Sequence, residues 1–381
     1  MEYLNYHDHY YSMRRLPLRN EDRLRPWDTA DEYLLRQFDE LETANPAPNV
    51  LLVNDAFGAL GVALHAHQLT HWGDSFVAQQ ALRFNLHENQ LPDAGTNFLP
   101  ADASPTGQFD CAVIKLPKNL SFFEDLLVRM RNSLKPGAQV LTGGMIKHTP
   151  ARAYQLLTEI IGPTETSLGW KKARLAHSVF QMQDAQRPPI TNVCYDLPER
   201  DVELANLPNV FSSRRLDLGT RLLLAHLPAS EAEITAVDLG CGNGVLALAL
   251  AQTCPRAHIL GIDESYQAIA SSNLNVAQLG PDRQRLSFRI GDGLQNEADG
   301  SHDIVVCNPP FHQGQTTGDL PAWEMFSQAK RVLRPGGRMR VVGNRHLGYH
   351  AKLKRLFASV ELVASASKFV VLEATKSSSQ L

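Results

Sequence analysis

The 381-residue sequence predicts an α/β protein in which one mostly parallel, helix-flanked sheet is built twice in tandem. Three observations lead there. Short β-branched runs alternate with longer helix-like runs, the pattern of a parallel sheet covered on both faces. That alternation is completed twice, and the landmarks of the two passes fall in the same order.

The first pass has the strand-like "VLLVND" (Val50 to Asp55), an apolar helix from about Gly61, the helical "DSFVAQQALRFNLHEN", the strand "FDCAVIKLP", a helix from Phe122, and the strand "LKPGAQVLTGG". The second has "ITAVDLG", an apolar helix from Val245, "ESYQAIASSNLNVAQLG", "HDIVVCNPP", a helix near Trp323 to Leu333, and "LRPGGRMRVVGN". Side by side, Asn54 matches Asp238, Asp74 to Phe76 matches Glu264 to Tyr266, Asp110 matches Asp303, and Lys135-Pro136-Gly137 matches Arg334-Pro335-Gly336. Between the passes, "QDAQRPPITNVCYDLPERDVE" carries paired prolines and little periodicity and reads as a linker. The expected domains are therefore residues 1–190 and 191–381.

Composition narrows the class. With 43% hydrophobic and 20% charged residues the chain reads as soluble and long enough for two ordinary cores. No apolar leader follows "MEYLNYHDHYYSMRRL", and the longest apolar run, "VLALALA", is too short to span a bilayer, so a cytoplasmic location is expected. Five cysteines without a C-x-x-C pair suggest neither a disulfide framework nor a zinc knuckle. A net charge of −3 argues against coating nucleic acid indiscriminately, though a local basic surface stays open.

The second copy carries the chemistry. "VDLGCGNGVLALALA" runs from a buried strand through Gly240, Gly242 and Gly244 into a helix, and glycines there let a ligand lie against the backbone. Asp263 ends the next strand, where a carboxylate meets ribose hydroxyls in nucleotide-binding sheets, and Asp292 ends the following one, where a carboxylate can accept from an adenine amine. Either aspartate alone reads as a helix cap or turn residue. Three strand ends in a row bearing suitable groups favour the ligand.

Asn308-Pro309-Pro310-Phe311 then decides which ligand. Glycines plus Asp263 also suit NAD, but this loop has no role in hydride transfer. It has one in methyl transfer to an exocyclic amine, whose lone pair is delocalised into its ring. If the two N–H groups donate to the Asn308 side-chain oxygen and the Pro309 carbonyl, the nitrogen moves toward tetrahedral geometry and can attack the methyl of S-adenosylmethionine. The prolines hold both acceptors fixed, and Phe311 can stack on a base turned out of its helix.

"VDLGCGNG", "NPPFHQG" and "LRPGGRMRVVGN" resemble class I S-adenosylmethionine-dependent methyltransferases, and more narrowly the bacterial guanine-N2 ribosomal RNA methyltransferases built from two tandem Rossmann-like domains. Of their two branches, one acts on 16S rRNA and one on guanine 1835 of 23S rRNA. "RPWDTADEYLL" (Arg25 to Leu35), the overall length and "LPNVFSSRRLDLGTRLLL" (Leu207 to Leu224) are similar to the 23S branch over nearly the whole chain. The resemblance implies guanine as the base, which the loop alone does not, since N6-adenine and glutamine-amide enzymes use similar loops. It also implies a partner in naked 23S rRNA or a large-subunit precursor, with no metal, no membrane and a monomeric enzyme. It places Gly240 and Gly242 under the methionine portion of the cofactor, Asp263 at the ribose, Asp292 at the adenine, and Asn308 to Phe311 at the base. Asp238 either reaches the cofactor's amino group through water or orients the loop. Phe211, Asp217, Gly219 and Thr220 are expected to close over the cofactor. The 16S-directed relative, an N6-adenine methyltransferase and an inactive RNA-binding assembly factor stay open as alternatives.

Other residues read more plainly. Cys307 beside the loop is expected to be a buried strand residue, and His65, His67 and His71 polar helix surface rather than metal ligands. The run from Lys330 to Arg355 has nine Lys or Arg and no acid, an expected rRNA phosphate contact. In the first copy, Ala56 to Leu60 stands against the glycine motif, with Phe57 and Leu60 bordering the cofactor space. Gly73 stands against Asp263 and Lys115 to Lys118 against the Asn-Pro-Pro-Phe loop. That domain is expected to bind RNA without cofactor, through Lys115, Lys118, Lys171, Lys172 and Arg174.

Overall fold

The structure, a computed structural model, describes residues 2–18, 24–44, 48–93, 96–182, 192–197, 202–310 and 320–378. The chain divides into two compact units, Met1–Thr191 and Asn192–Leu381.

The first unit opens with the hairpin β1 (Glu2–Tyr6) and β2 (His9–Met13), then α1 (Thr29–Ala44), β3 (Asn49–Val53), α2 (Ala59–Ala63), β4 (Gln68–Gly73), α3 (Phe76–Glu88), β5 (Asn97–Pro100), β6 (Phe109–Lys115), α4 (Leu120–Met130), β7 (Leu134–Met145), α5 (Ala151–Ile160), β8 (Thr164–Thr166) and β9 (Ala173–Val179). The second repeats the order: β10 (Val193–Leu197), β11 (Val202–Asn206), α6 (Leu218–Leu224), β12 (Thr235–Leu239), α7 (Val245–Thr253), β13 (His258–Asp263), α8 (Tyr266–Val276), β14 (Leu286–Ile290), β15 (His302–Cys307), α9 (Leu320–Val332), β16 (Leu333–Asn344), α10 (Tyr349–Leu353), β17 (Ser359–Ser365) and β18 (Phe369–Thr375).

Each unit holds a seven-stranded sheet, ordered β5-β4-β3-β6-β7-β9-β8 and β14-β13-β12-β15-β16-β18-β17. Five strands in each are parallel, and the last two add antiparallel. The central strands are continuous apolar runs because both faces are covered. In the second unit Ala236, Ile304 and Val306 pack with α6, α7 and α8, while Val237, Leu239, Val305 and Cys307 pack with α9 and α10. The alternation is the period of two of a strand.

The registers correct the sequence match at the first turn. Asp110 accepts from the Asn49 N–H (3.0 Å) as Asp303 does from the Thr235 N–H (2.8 Å), so Thr235 corresponds to Asn49 and Gly240 to Asn54. Both Asn54 (φ 63°) and Gly240 (φ 75°) are left-handed, as are Gly58 and Gly244, which begin α2 and α7. Asn54 is thus not the counterpart of Asp238, whose place is taken by Leu52; Ala56 stands for Gly242. Matching polar to polar missed the backbone requirement, which Asn meets because it tolerates this conformation. Leu60 is a core residue of α2, fully buried, and borders no cofactor space.

Two further corrections concern segments judged irregular. Within the expected linker, Val193–Leu197 and Val202 onward form an antiparallel hairpin of the second unit, with Leu197 and Leu204 in its core; residues 183–191 lie outside the described ones. The histidines are not on a helix surface. His71 is inside β4, buried, its pKa lowered to about 4 by desolvation, while His65 and His67 lie in the turn after α2, His67 edge-on to Phe38.

Candidate active site

The strand order of the second unit's sheet reverses between β12 and β15, the point where α/β sheets bind ligands beyond their carboxyl ends. Register places the expected residues along that edge. Leu239 pairs with both Ile262 and Cys307, so Gly240, Asp263 and Asn308 sit at the ends of three adjacent strands, and Asp292 follows the fourth, β14.

Gly240 and Gly242 are both left-handed, and a Cβ built on Gly242 (φ 56°) meets nothing within 4 Å. The loop therefore presents bare backbone to open space. A buried amide network holds its far side: Asn243 Nδ2 donates to Asn206 Oδ1 (2.9 Å) and Tyr195 Oη (3.1 Å), and Asn275 Nδ2 donates to the Asn243 carbonyl (2.9 Å). The sequence gives one hint of this network, the polar Ser271, Ser272 and Asn275 on a single face of α8, all buried.

Asp263 has the turn-shaping role among those open to it. Its carboxylate accepts from the N–H groups of Gly242 (2.9 Å) and Ser265 (2.9 Å), which shapes the turn and leaves lone pairs for a hydroxyl. Burial raises its pKa while those bonds oppose the rise. Asp292 accepts from Gln295 Nε2 (2.6 Å). Asp238 is fully buried, and its Oδ2 accepts from the Ala247 N–H (3.0 Å) at the start of α7. That geometry gives it the loop-orienting role. Burial pushes its pKa up to about 7, with a smaller contribution from Asp263.

Asn308 is partly buried. Its Nδ2 donates to Thr220 Oγ1 (2.8 Å) and Asp217 Oδ2 (3.3 Å), while its Oδ1 is buried without a hydrogen-bond partner among the described residues. Pro309 is buried and Pro310 exposed. Phe311 lies outside the described residues. Asp217 caps α6 by accepting from the Thr220 N–H (2.9 Å), so these two residues reach Asn308 rather than merely preceding the first strand. Phe211 is 68% exposed. Cys307 is fully buried, and burial raises its thiol pKa well above the ordinary value, which removes it as a nucleophile.

The basic run from Lys330 to Arg355 is largely consumed within its unit. Arg331 pairs with Asp299, Arg334 with Asp303, and Arg338 and Arg340 with Glu373, while Arg345 donates to Ser365 and the Ala366 carbonyl and Lys352 to the Leu347 carbonyl; Lys330, Arg334, Arg345, Lys354 and Arg355 are exposed. Among the described residues there is no cluster able to hold a metal and no helix long and apolar enough to cross a membrane.

The first unit's equivalent positions carry different groups. Lys115, in the place of Asn308, binds Asp28 Oδ1 and Asp31 Oδ2 at 2.6 Å each, so it is no phosphate contact, contrary to the sequence reading. Burial pulls its pKa down, but the two carboxylates more than offset this. Gly73 offers no carboxylate, and Arg15 lies over the ring of Phe57 (4.7 Å).

The family model for the RLMG N-terminal domain matches residues 1–182, and that for the methyltransferase small domain matches residues 201–373. The chain is 47% identical over 364 residues to the ribosomal RNA large subunit methyltransferase G of Pseudomonas paraeruginosa, covering 95% of this chain and 96% of that one. It is 46% identical over 363 residues to the protein of that name from Stutzerimonas stutzeri, with the same coverage. Among solved structures, a T. thermophilus 16S rRNA N2 G1207 methyltransferase in complex with AdoMet and guanosine shares the fold at a TM-score of 0.75 and 21% identity, covering 98% of this chain and 97% of that one. With nearly half its residues shared along almost the whole length of both chains, this protein belongs to the ribosomal RNA large subunit methyltransferase G family.

Proposed function

We propose that the protein methylates the exocyclic N2 amine of a guanine in 23S rRNA, with S-adenosylmethionine as methyl donor and the second unit as the catalytic one. The observation that carries this reading is Asn308 Oδ1, a buried acceptor without a partner among the described residues, at the strand edge that also bears the open glycine loop.

The residues fit the cofactor. Gly242 leaves open space against the backbone, Asp263 keeps lone pairs for the ribose, and Asp292 stands one strand further for the adenine. When bound, S-adenosylmethionine supplies an electrophilic methyl group. Asn308 Oδ1 and the Pro309 carbonyl accept the two N–H bonds of the base amine and draw its lone pair out of conjugation. Neither oxygen is basic enough to keep a proton, which leaves to solvent. Because the backbone of Pro309 and Pro310 is stiff, the acceptors stand in place before reaction. Asp238, without exposed surface, serves the loop rather than the proton.

The first unit recognises RNA through the exposed Lys118, Lys171 and Lys172 and takes no cofactor. Trp170 adds a ring beside them, with the Lys171 ammonium 4.5 Å from its centre. The enzyme works as a cytoplasmic monomer on free 23S rRNA or a large-subunit precursor. Incubating the protein and tritiated cofactor with rRNA from a strain lacking the gene, then mapping by primer extension, tests this. Label at one guanine of 23S rRNA is expected; label in 16S rRNA or on adenine would overturn the substrate assignment.

A further inference from the structure

Asn308 can clamp an amine only if its amide faces the right way. Turned by half a rotation, it would offer an N–H pair where an acceptor is needed and repel the base amine. Rotation about the terminal bond of asparagine is soft, so a fixed orientation must come from the surroundings.

The surroundings here are chemically one-sided. Asp217 Oδ2 has no hydrogen to give, and it collects donors: the Thr220 N–H (2.9 Å), the Thr220 hydroxyl (3.4 Å) and Asn308 Nδ2 (3.3 Å). Because the Thr220 hydroxyl points its hydrogen at Asp217, its oxygen lone pairs accept from Asn308 Nδ2 (2.8 Å). An amide oxygen in that place would face a carboxylate. The chain of donors therefore takes up the Nδ2 side and leaves Asn308 Oδ1 buried and without a partner among the described residues.

The first unit shows what the same three positions do otherwise. Asp28 precedes α1 as Asp217 precedes α6, Asp31 stands at the place of Thr220, and Lys115 stands one residue after Ile114 as Asn308 does after Cys307. There the third residue is an ammonium between two carboxylates, with no acceptor to offer. Replacing one carboxylate by a hydroxyl and the ammonium by an amide opens one oxygen.

We propose that Asp217 and Thr220 are positioning residues that lock the Asn308 amide with its oxygen toward the base amine. This rests on Asn308 being the amine acceptor. Asp217→Asn keeps a helix-capping side chain but can present either an oxygen or an N–H to Asn308, and Thr220→Val removes the hydroxyl at equal volume. Single-turnover methylation of 23S rRNA is expected to slow by on the order of 10- to 100-fold in each, with unchanged affinity for S-adenosylhomocysteine and for RNA. Thr220→Ser should recover most of the loss. In an Asn308→Ala background, neither substitution should slow the reaction further, since both act through the missing amide. Wild-type rates in Asp217→Asn and Thr220→Val, or full additional losses in the Asn308→Ala background, would overturn the positioning role. Wild-type turnover in Asn308→Ala alone would instead remove the acceptor assignment beneath it.

Discussion

Asp238 is a buried carboxyl that the fold uses on one side only. Its Oδ2 holds the Ala247 N–H, its Oδ1 has no partner among the described residues, and burial brings its pKa to about 7. Between an unfolded value near 3.8 and about 7, the folded chain keeps a proton that the unfolded chain has released. Stability therefore falls as pH rises through that window and levels off above it. Asp238→Asn retains the acceptor for Ala247 and does not ionise, so its stability relative to wild type is expected to grow from pH 4 to about 7 and then stay constant. Thermal unfolding of both proteins across that range checks this; a pH-independent difference would show that Asp238 is ionised in the fold throughout. From the sequence, Asp238 could either reach the cofactor through water or orient the loop. Its burial decides between them, and burial depends on the strands either side.

At the scale of elements, the strand ends were legible because each follows an apolar run that ends in a chemically distinctive residue. Asp263 and Asn308 fell where that reading put them. The two hairpins were not legible, since their alternation is short and interrupted by tyrosines, histidines and prolines. Yet they matter: Asn85 bonds the Arg14 and Phe57 carbonyls as Asn275 bonds those of Ala205 and Asn243, so each hairpin is tied to the loop after the first sheet strand. The partners of Lys115 were equally hidden, because Asp28 and Asp31 precede it by more than eighty residues. Lys115→Met should strand Asp31, whose side chain is only 8% exposed, and cost about 3 kcal/mol. Hydrogen-exchange mass spectrometry should show the lost protection in α1 and β6, and restoring neutrality with Asp28→Asn and Asp31→Leu should return most of it. Unchanged protection in Lys115→Met would mean that the ion triad contributes nothing.

Across the whole molecule, duplication has been followed by division of labour. Both units keep the sheet order and the ion pair at the strand start, Lys135 to Asp110 and Arg334 to Asp303. The residues we propose for the chemistry lie in one. Charge on the other is expected to serve RNA: in the full chain, Lys118→Ala, Lys171→Ala and Lys172→Ala should each weaken binding to a 23S rRNA fragment and reduce the slope of log affinity against log salt by up to about 1. An unchanged slope in all three would assign those lysines to ordinary solvated surface. Sequence alone overstated this surface at Lys115, because it counted charges without their partners, and Lys115 turns out to be paired with Asp28 and Asp31. The central claim, that a preorganised acceptor pair activates the base amine, is met most directly by Asn308→Ala. Calorimetric titration with S-adenosylhomocysteine should give wild-type affinity, while single-turnover methylation of 23S rRNA falls by on the order of 100-fold. Wild-type turnover in that variant would contradict the account.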